Sequence, residues 1–150
     1  MPVKRAISPA TIEGGDVLHL EDHLICGVTQ RTNEEGVNQL RKWFEVEVKT
    51  VLDKSIVHLK SYISYLGNGV IISTRKYANH PVLEGFRVLV VPEDEAYAAN
   101  ALAIDEFVLM ARGFPKSEKI VREAGYEVIT LDMSEFQKCE GALTCLSLLF

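Results

Sequence analysis

Strand-like and helix-like runs alternate along this chain in a repeating order. Two short strands, a helix and a third strand recur three times. In the first cycle, 16–20 and 23–28 are short apolar runs split by Glu21-Asp22, as in a hairpin. Thr32-Asn33-Glu34-Glu35 then reads as a capping box, with Thr32 capping the helix while Glu35 reaches back. Val37, Leu40, Trp43 or Phe44, and Glu47 follow at helical spacing with their apolar groups on one face, and 46–52 returns to a strand pattern.

The second cycle has strand-like runs at 57–64 and 70–73, joined by the turn signal Gly67-Asn68-Gly69. A weaker helical stretch at about 75–83 is interrupted by Pro81, and a β-rich run at 86–91 is closed by Pro92. In the third, 101–104 and 107–110 pair as strands. A helix over 116–124 has Pro115 at its start and Gly125 past its end, and 126–131 is a strand. The segment 133–141 holds a short helical turn, and 142–150 reads as a closing strand. The cycles share architecture but little sequence, and no linker, low-complexity segment or internal boundary divides them, so the expectation is one α/β domain over 1–150.

The 150 residues suffice for one domain with a sizeable core. Hydrophobic residues make up 47% and charged residues 25%, with a net charge of −5, a balance that argues against nucleic acid as a partner because phosphate binding needs a basic patch. No apolar run approaches a membrane span, and the N-terminus is not followed by an apolar signal core, so the expected location is cytoplasmic. Three cysteines, Cys26, Cys139 and Cys145, suggest neither a disulfide framework nor a zinc cluster. One reactive thiol with two bystanders is the simplest account.

Four places carry residue types with chemical potential. Cys145 follows Glu140-Gly141-Ala142-Leu143-Thr144 and opens an apolar stretch, which puts a thiol at a strand edge; a free cysteine taken alone is as readily a core residue. His58, in Val57-His58-Leu59-Lys60-Ser61, could serve as acid–base partner to a thiol. His19, His23 and His80 compete for that role. In Glu13-Gly14-Gly15-Asp16 two acids flank two glycines, either as a solvated turn or as a carboxylate facing a cation. Arg31 lies between a strand and a helix cap, where its planar fork suits a carboxylate or simply faces water.

The order of these elements is more specific than any one of them. Glu-Gly-Gly-Asp at 13–16, Arg31-Thr32-Asn33 before a helix, His58-Leu59-Lys60-Ser61 and a late Leu143-Thr144-Cys145 together resemble the dimethylarginine dimethylaminohydrolase family, within the larger group of arginine deiminases and amidinotransferases. The resemblance runs from Pro9 to Phe150 and is tightest at 9–17 and 140–145. Lys60 favours the dimethylarginine branch, since arginine deiminases typically place an aspartate two residues after the histidine.

The resemblance implies an α/β propeller of the pentein type, built of ββαβ blades. About three of the five would be present here, making the chain a C-terminal part that either self-associates or joins a missing N-terminal half. It implies hydrolysis of dimethylarginine or monomethylarginine to citrulline plus amine, with no metal or organic cofactor. Cys145 would be the nucleophile and His58 the general acid and base. Glu13 would bind the guanidinium and orient His58, Arg31 would hold the substrate α-carboxylate, and the carbonyl of Cys139 would meet its amino group. The alternatives are an arginine or agmatine deiminase, an amidinotransferase, or a non-catalytic scaffold that keeps the motif residues.

Overall fold

The computed structural model describes residues 3–148. The chain forms two compact units, one ending at Leu59 and one beginning at Lys60.

The first unit has one three-stranded sheet. Strand β1 (Val17–His19) runs antiparallel to β2 (His23–Val28), and β2 runs parallel to β3 (Glu47–Leu52) after a crossover through helix α1 (Glu34–Phe44). A tight turn can join antiparallel neighbours, whereas parallel ones need the longer helical connection. All six residues of β2 are buried, as befits a central strand. The core packs Leu24, Cys26 and Val28 of β2 and Val48 of β3 against Val37 and Leu40 of α1.

The helix begins one residue later than the capping-box reading places it. Asn33 is the cap, and its side-chain oxygen accepts the Gly36 N–H at 2.9 Å and the Thr11 N–H at 3.0 Å. The Thr32 hydroxyl is committed elsewhere, donating to Asp16 and accepting from the Glu13 N–H.

The second unit repeats the topology twice. Strands β4 (Ile63–Gly67), β5 (Val70–Ser73) and β6 (Arg87–Val90) form one sheet, and β7 (Leu102–Ile104), β8 (Phe107–Ala111) and β9 (Glu127–Leu131) another. In each, the first pair is antiparallel and the second parallel. Gly67, Asn68 and Gly69 all take positive φ in the β4–β5 turn. Helix α2 (Pro115–Glu123) makes the second crossover, with proline at its first position and Gly125 at φ +105° beyond its end. One core joins both sheets through Leu66, Ile72, Leu89, Val108, Met110, Val121 and Val128.

Four expectations are corrected. The stretch 75–83 forms turns and a 3₁₀ helix at Pro81–Leu83, not an α-helix: Pro81 lacks an N–H, and His80 before it is extended at φ −69°, ψ 135°. Of the strand expected over 57–64, only the part from Ile63 forms, because the Leu59 N–H is taken by the Asp16 carboxylate instead of a neighbouring strand. The closing strand over 142–150 is replaced, within the described residues, by a 3₁₀ turn at Leu143–Leu146; positions 149 and 150 lie outside them. A 3₁₀ segment at Glu93–Ala99 lies where no element was expected. The helical turn α3 (Ser134–Lys138) forms inside 133–141 as read. No helix among the described residues is long and apolar enough to cross a membrane.

Candidate active site

In the first unit, Asp16 organises the candidate residues. Its side chain is fully buried. One oxygen accepts hydroxyl protons from Thr29 at 2.8 Å and Thr32 at 2.7 Å, and the other accepts the Leu59 N–H at 2.9 Å. A buried carboxylate must collect donors, and these three come from two segments, the 29–32 loop and Leu59. Each donor stands beside a candidate residue. Thr29 and Thr32 bracket Arg31, whose N–H donates to the Thr29 hydroxyl at 3.1 Å. Thr32 also accepts from the Glu13 N–H at 3.1 Å. Leu59 follows His58.

The structure brings Glu13, His58 and Arg31 together. His58 Nε2 lies 2.5 Å from Glu13 Oε2. Arg31 Nη1 lies 4.0 Å from the other Glu13 oxygen. The three side chains are partly exposed, His58 least at 26%. Gly15 gives the imidazole its place: a Cβ there would stand 2.7 Å from His58 Cγ and 2.8 Å from Cδ2. A carboxylate on one ring nitrogen fixes the orientation of the imidazole.

The competing histidines have other settings. His23 is buried, with Nδ1 2.6 Å from Asp22 Oδ1. His80 Nδ1 accepts the Val82 N–H at 3.2 Å, capping a 3₁₀ turn. His19 is exposed on β1.

In the second unit, Cys145 sits on the 3₁₀ turn Leu143–Leu146 with its side chain exposed, so the strand-edge expectation gives way to a turn. Cys139 is also exposed, directly after α3, and its N–H donates to the Phe136 carbonyl at 3.0 Å. Between the two cysteines Glu140 takes φ +59°, and the Tyr97 hydroxyl donates to the Gly141 carbonyl at 2.7 Å. Burial, followed by the negative charge of a Cys145 thiolate, holds the Tyr97 phenol above its ordinary value. A cavity of about 250 Å³ is lined by Ser61, Tyr97, Asn100, Gln137, Glu140 and Ala142.

Cys26 differs from the other two thiols. Burial, and secondly the charge of Asp16, push it up to about 12, so it stays a neutral core group. Among the described residues no three His, Cys, Asp or Glu side chains converge as a metal site.

Two organising residues escaped the sequence reading, Asp16 as an anchor and Asn100. Asp16 stood in the noted Glu-Gly-Gly-Asp motif, but nothing local distinguishes a buried acid from a solvated one. Asn100 follows Glu93–Ala99, a segment with no recognised element, and its partners at Lys60 and Thr144 are 40 and 44 positions away.

A model of the family described as arginine deiminase matches residues 2–67. The N(G),N(G)-dimethylarginine dimethylaminohydrolase of Pseudomonas aeruginosa is 33% identical over 151 aligned residues, covering 99% of this chain and 59% of that protein. The Streptomyces coelicolor protein of the same name is 39% identical, covering 93% and 54%. The solved P. aeruginosa structure, a cysteine-to-serine mutant complexed with citrulline, matches with a TM-score of 0.91 at 31% identity over 96% of this chain and 58% of that one. A dimethylarginine dimethylaminohydrolase captured as an adduct with S-methyl-L-thiocitrulline matches at 0.89 and 34%. The chain therefore spans between 54% and 59% of the length of these two curated relatives.

The repeated sheets, each with one antiparallel and one parallel pair, are those of the α/β pentein fold shared by enzymes that modify guanidino groups. Within that class, the chain is similar along 99% and 93% of its length to the dimethylarginine dimethylaminohydrolases of P. aeruginosa and S. coelicolor.

Proposed function

We propose that this chain carries the reacting residues of a cytoplasmic hydrolase that converts dimethylarginine or monomethylarginine to citrulline and the corresponding amine. The observation that carries the reading is the His58–Glu13 pair, closed at 2.5 Å beside Arg31, in a chain that aligns along almost its whole length with dimethylarginine dimethylaminohydrolases.

The Cys145 thiolate attacks the guanidinium carbon, forming a C–S bond and a tetrahedral adduct. Glu13 stabilises the cationic group. Protonated His58 gives its proton to the substituted nitrogen, the C–N bond breaks, and the amine leaves a covalent thiouronium on sulfur. Neutral His58 then takes a proton from water, and the resulting hydroxide adds to the same carbon. The hydroxyl proton passes to solvent as collapse breaks the C–S bond, returning the thiolate and releasing citrulline. The Arg31 guanidinium holds the α-carboxylate in this reading, and the Cys139 carbonyl accepts from the α-amino group. These steps use side chains and water alone.

The same reading makes the chain a single functional piece of a five-bladed propeller, its C-terminal part, completed by an N-terminal half or by self-association. The 54% to 59% coverage of its relatives supports this.

The test is citrulline release from dimethylarginine, assayed with the chain alone and with the N-terminal half of a relative. Cys145→Ser should abolish it, and His58→Ala should lower kcat by about 10³-fold or more. Ammonia released from unmethylated arginine, with dimethylarginine inert, would overturn the substrate assignment.

A further inference from the structure

Cys145 presents its side chain from an exposed turn, so packing around the sulfur does little to hold it. The turn is attached from beneath by Leu143, which is buried against Leu102, Ala111 and Met133. Within the turn, the Cys145 N–H donates to the Ala142 carbonyl at 3.1 Å and the Ser147 hydroxyl to the Leu143 carbonyl at 2.8 Å. These contacts fix where the turn sits and leave its rotation to other groups.

Asn100 supplies that control. Its side chain is buried, 3% exposed, in the segment before β7. Its oxygen accepts the Thr144 N–H at 3.1 Å, and its amide nitrogen donates to the Thr144 hydroxyl at 2.8 Å and to the Lys60 carbonyl at 2.8 Å. Thr144 is thus gripped by backbone and side chain together, one residue before the sulfur. An amide suits this place because it donates and accepts at once; a carboxylate could not serve the Lys60 carbonyl, and an ammonium could not serve the Thr144 N–H.

We propose that Asn100 is the positioning residue of the nucleophile, its side-chain amide setting the orientation of Cys145 through a two-point grip on Thr144. The assignment rests on the reading of Cys145 as the attacking thiol. It extends that reading to a residue that acts through Thr144. Nucleophilic attack requires the sulfur to approach the carbon along a narrow path, and a misplacement of about 1 Å costs on the order of 10²-fold in rate.

The test compares two alkylating reagents on Cys145 in a Cys139→Ser background, where Cys26 is buried. A cationic halo-amidine reports placement of the thiol relative to a guanidinium-like group, and neutral iodoacetamide reports exposure and thiolate content. The ratio of their second-order rates, read by intact mass, is expected to fall about 10- to 100-fold in Asn100→Ala, with the iodoacetamide rate within about threefold of the parent. Thr144→Val, which removes only the hydroxyl half of the grip, should lower the ratio by a smaller factor and serves as the test if Asn100→Ala does not fold. An unchanged ratio in the folded variants overturns the positioning role alone. A parent chain with no preference for the amidine overturns the nucleophile reading, and this assignment with it.

Discussion

Each unit hangs its candidate residues on one buried polar side chain, and the two anchors have opposite chemistry. In the first unit the anchor is a carboxylate, Asp16, which only accepts. In the second it is an amide, Asn100, which accepts one hydrogen bond and donates two. The difference follows from what each loop offers. The segments around Arg31 and His58 turn hydroxyls and an N–H inward, so an acceptor satisfies them all. The segments at Lys60 and Thr144 offer a carbonyl, a hydroxyl and an N–H, and no ion could satisfy all three. The second unit does contain a buried acid, Glu95, but it accepts the Lys116 and Ser117 N–H groups at the start of α2 and so caps a helix. Burying a carboxylate therefore does not by itself mark a site; the identity of its donors does.

The comparison breaks most visibly at Asp16. Asp16→Ala leaves three inward-facing donors from two segments without an acceptor, and the expected loss is about 3 kcal/mol or more in urea unfolding, with Asp16→Asn losing less. If Asp16→Ala unfolds like the parent, the carboxylate is not the anchor of that unit. Next comes Gly15→Ala. The added Cβ must displace the His58 ring, so kcat for citrulline release should fall at least about 10-fold while the melting temperature moves little. Equal losses of both would mean that the glycine serves the fold and not the imidazole.

The second unit's acid gives a pH test. Burial raises the Glu95 carboxyl, but the Ser117 and Lys116 N–H groups outweigh it, leaving Glu95 below its ordinary value of 4.5. Its stabilising contribution is therefore complete above about pH 4.5 and is lost as the pH falls through the lowered folded value. Glu95→Gln should cost about 1–2 kcal/mol at pH 7 and flatten the acid limb of the stability profile. An acid limb identical to the parent's would remove Glu95 from the account. Smallest is Asn33→Ala, which removes the α1 cap for about 1 kcal/mol; Thr32→Val should exceed it, because Thr32 serves Asp16 and Glu13 instead of the helix.

What the sequence by itself determined was the alternation of elements and the set of candidate side chains. Central strands such as His23–Val28 and Val70–Ser73 are near-continuous apolar runs, and the α2 boundaries are written in Pro115 and Gly125, because periodicity and backbone-restricting residues act locally. The order Glu13, Arg31, His58, Cys145 was equally readable. Where the reading failed, a distant partner had claimed a local group. Asp16 takes the Leu59 N–H 43 positions away and ends the expected strand around His58. Asn100 takes the Thr144 N–H and turns an expected strand into the bend that carries Cys145. Only the tertiary structure decided that Asp16 is an anchor while its neighbour Glu13 faces His58, and that an unremarkable asparagine grips the turn that carries Cys145. Hydrogen-bond satisfaction inside a core depends on which segments converge there, and no window of neighbouring residues contains that information.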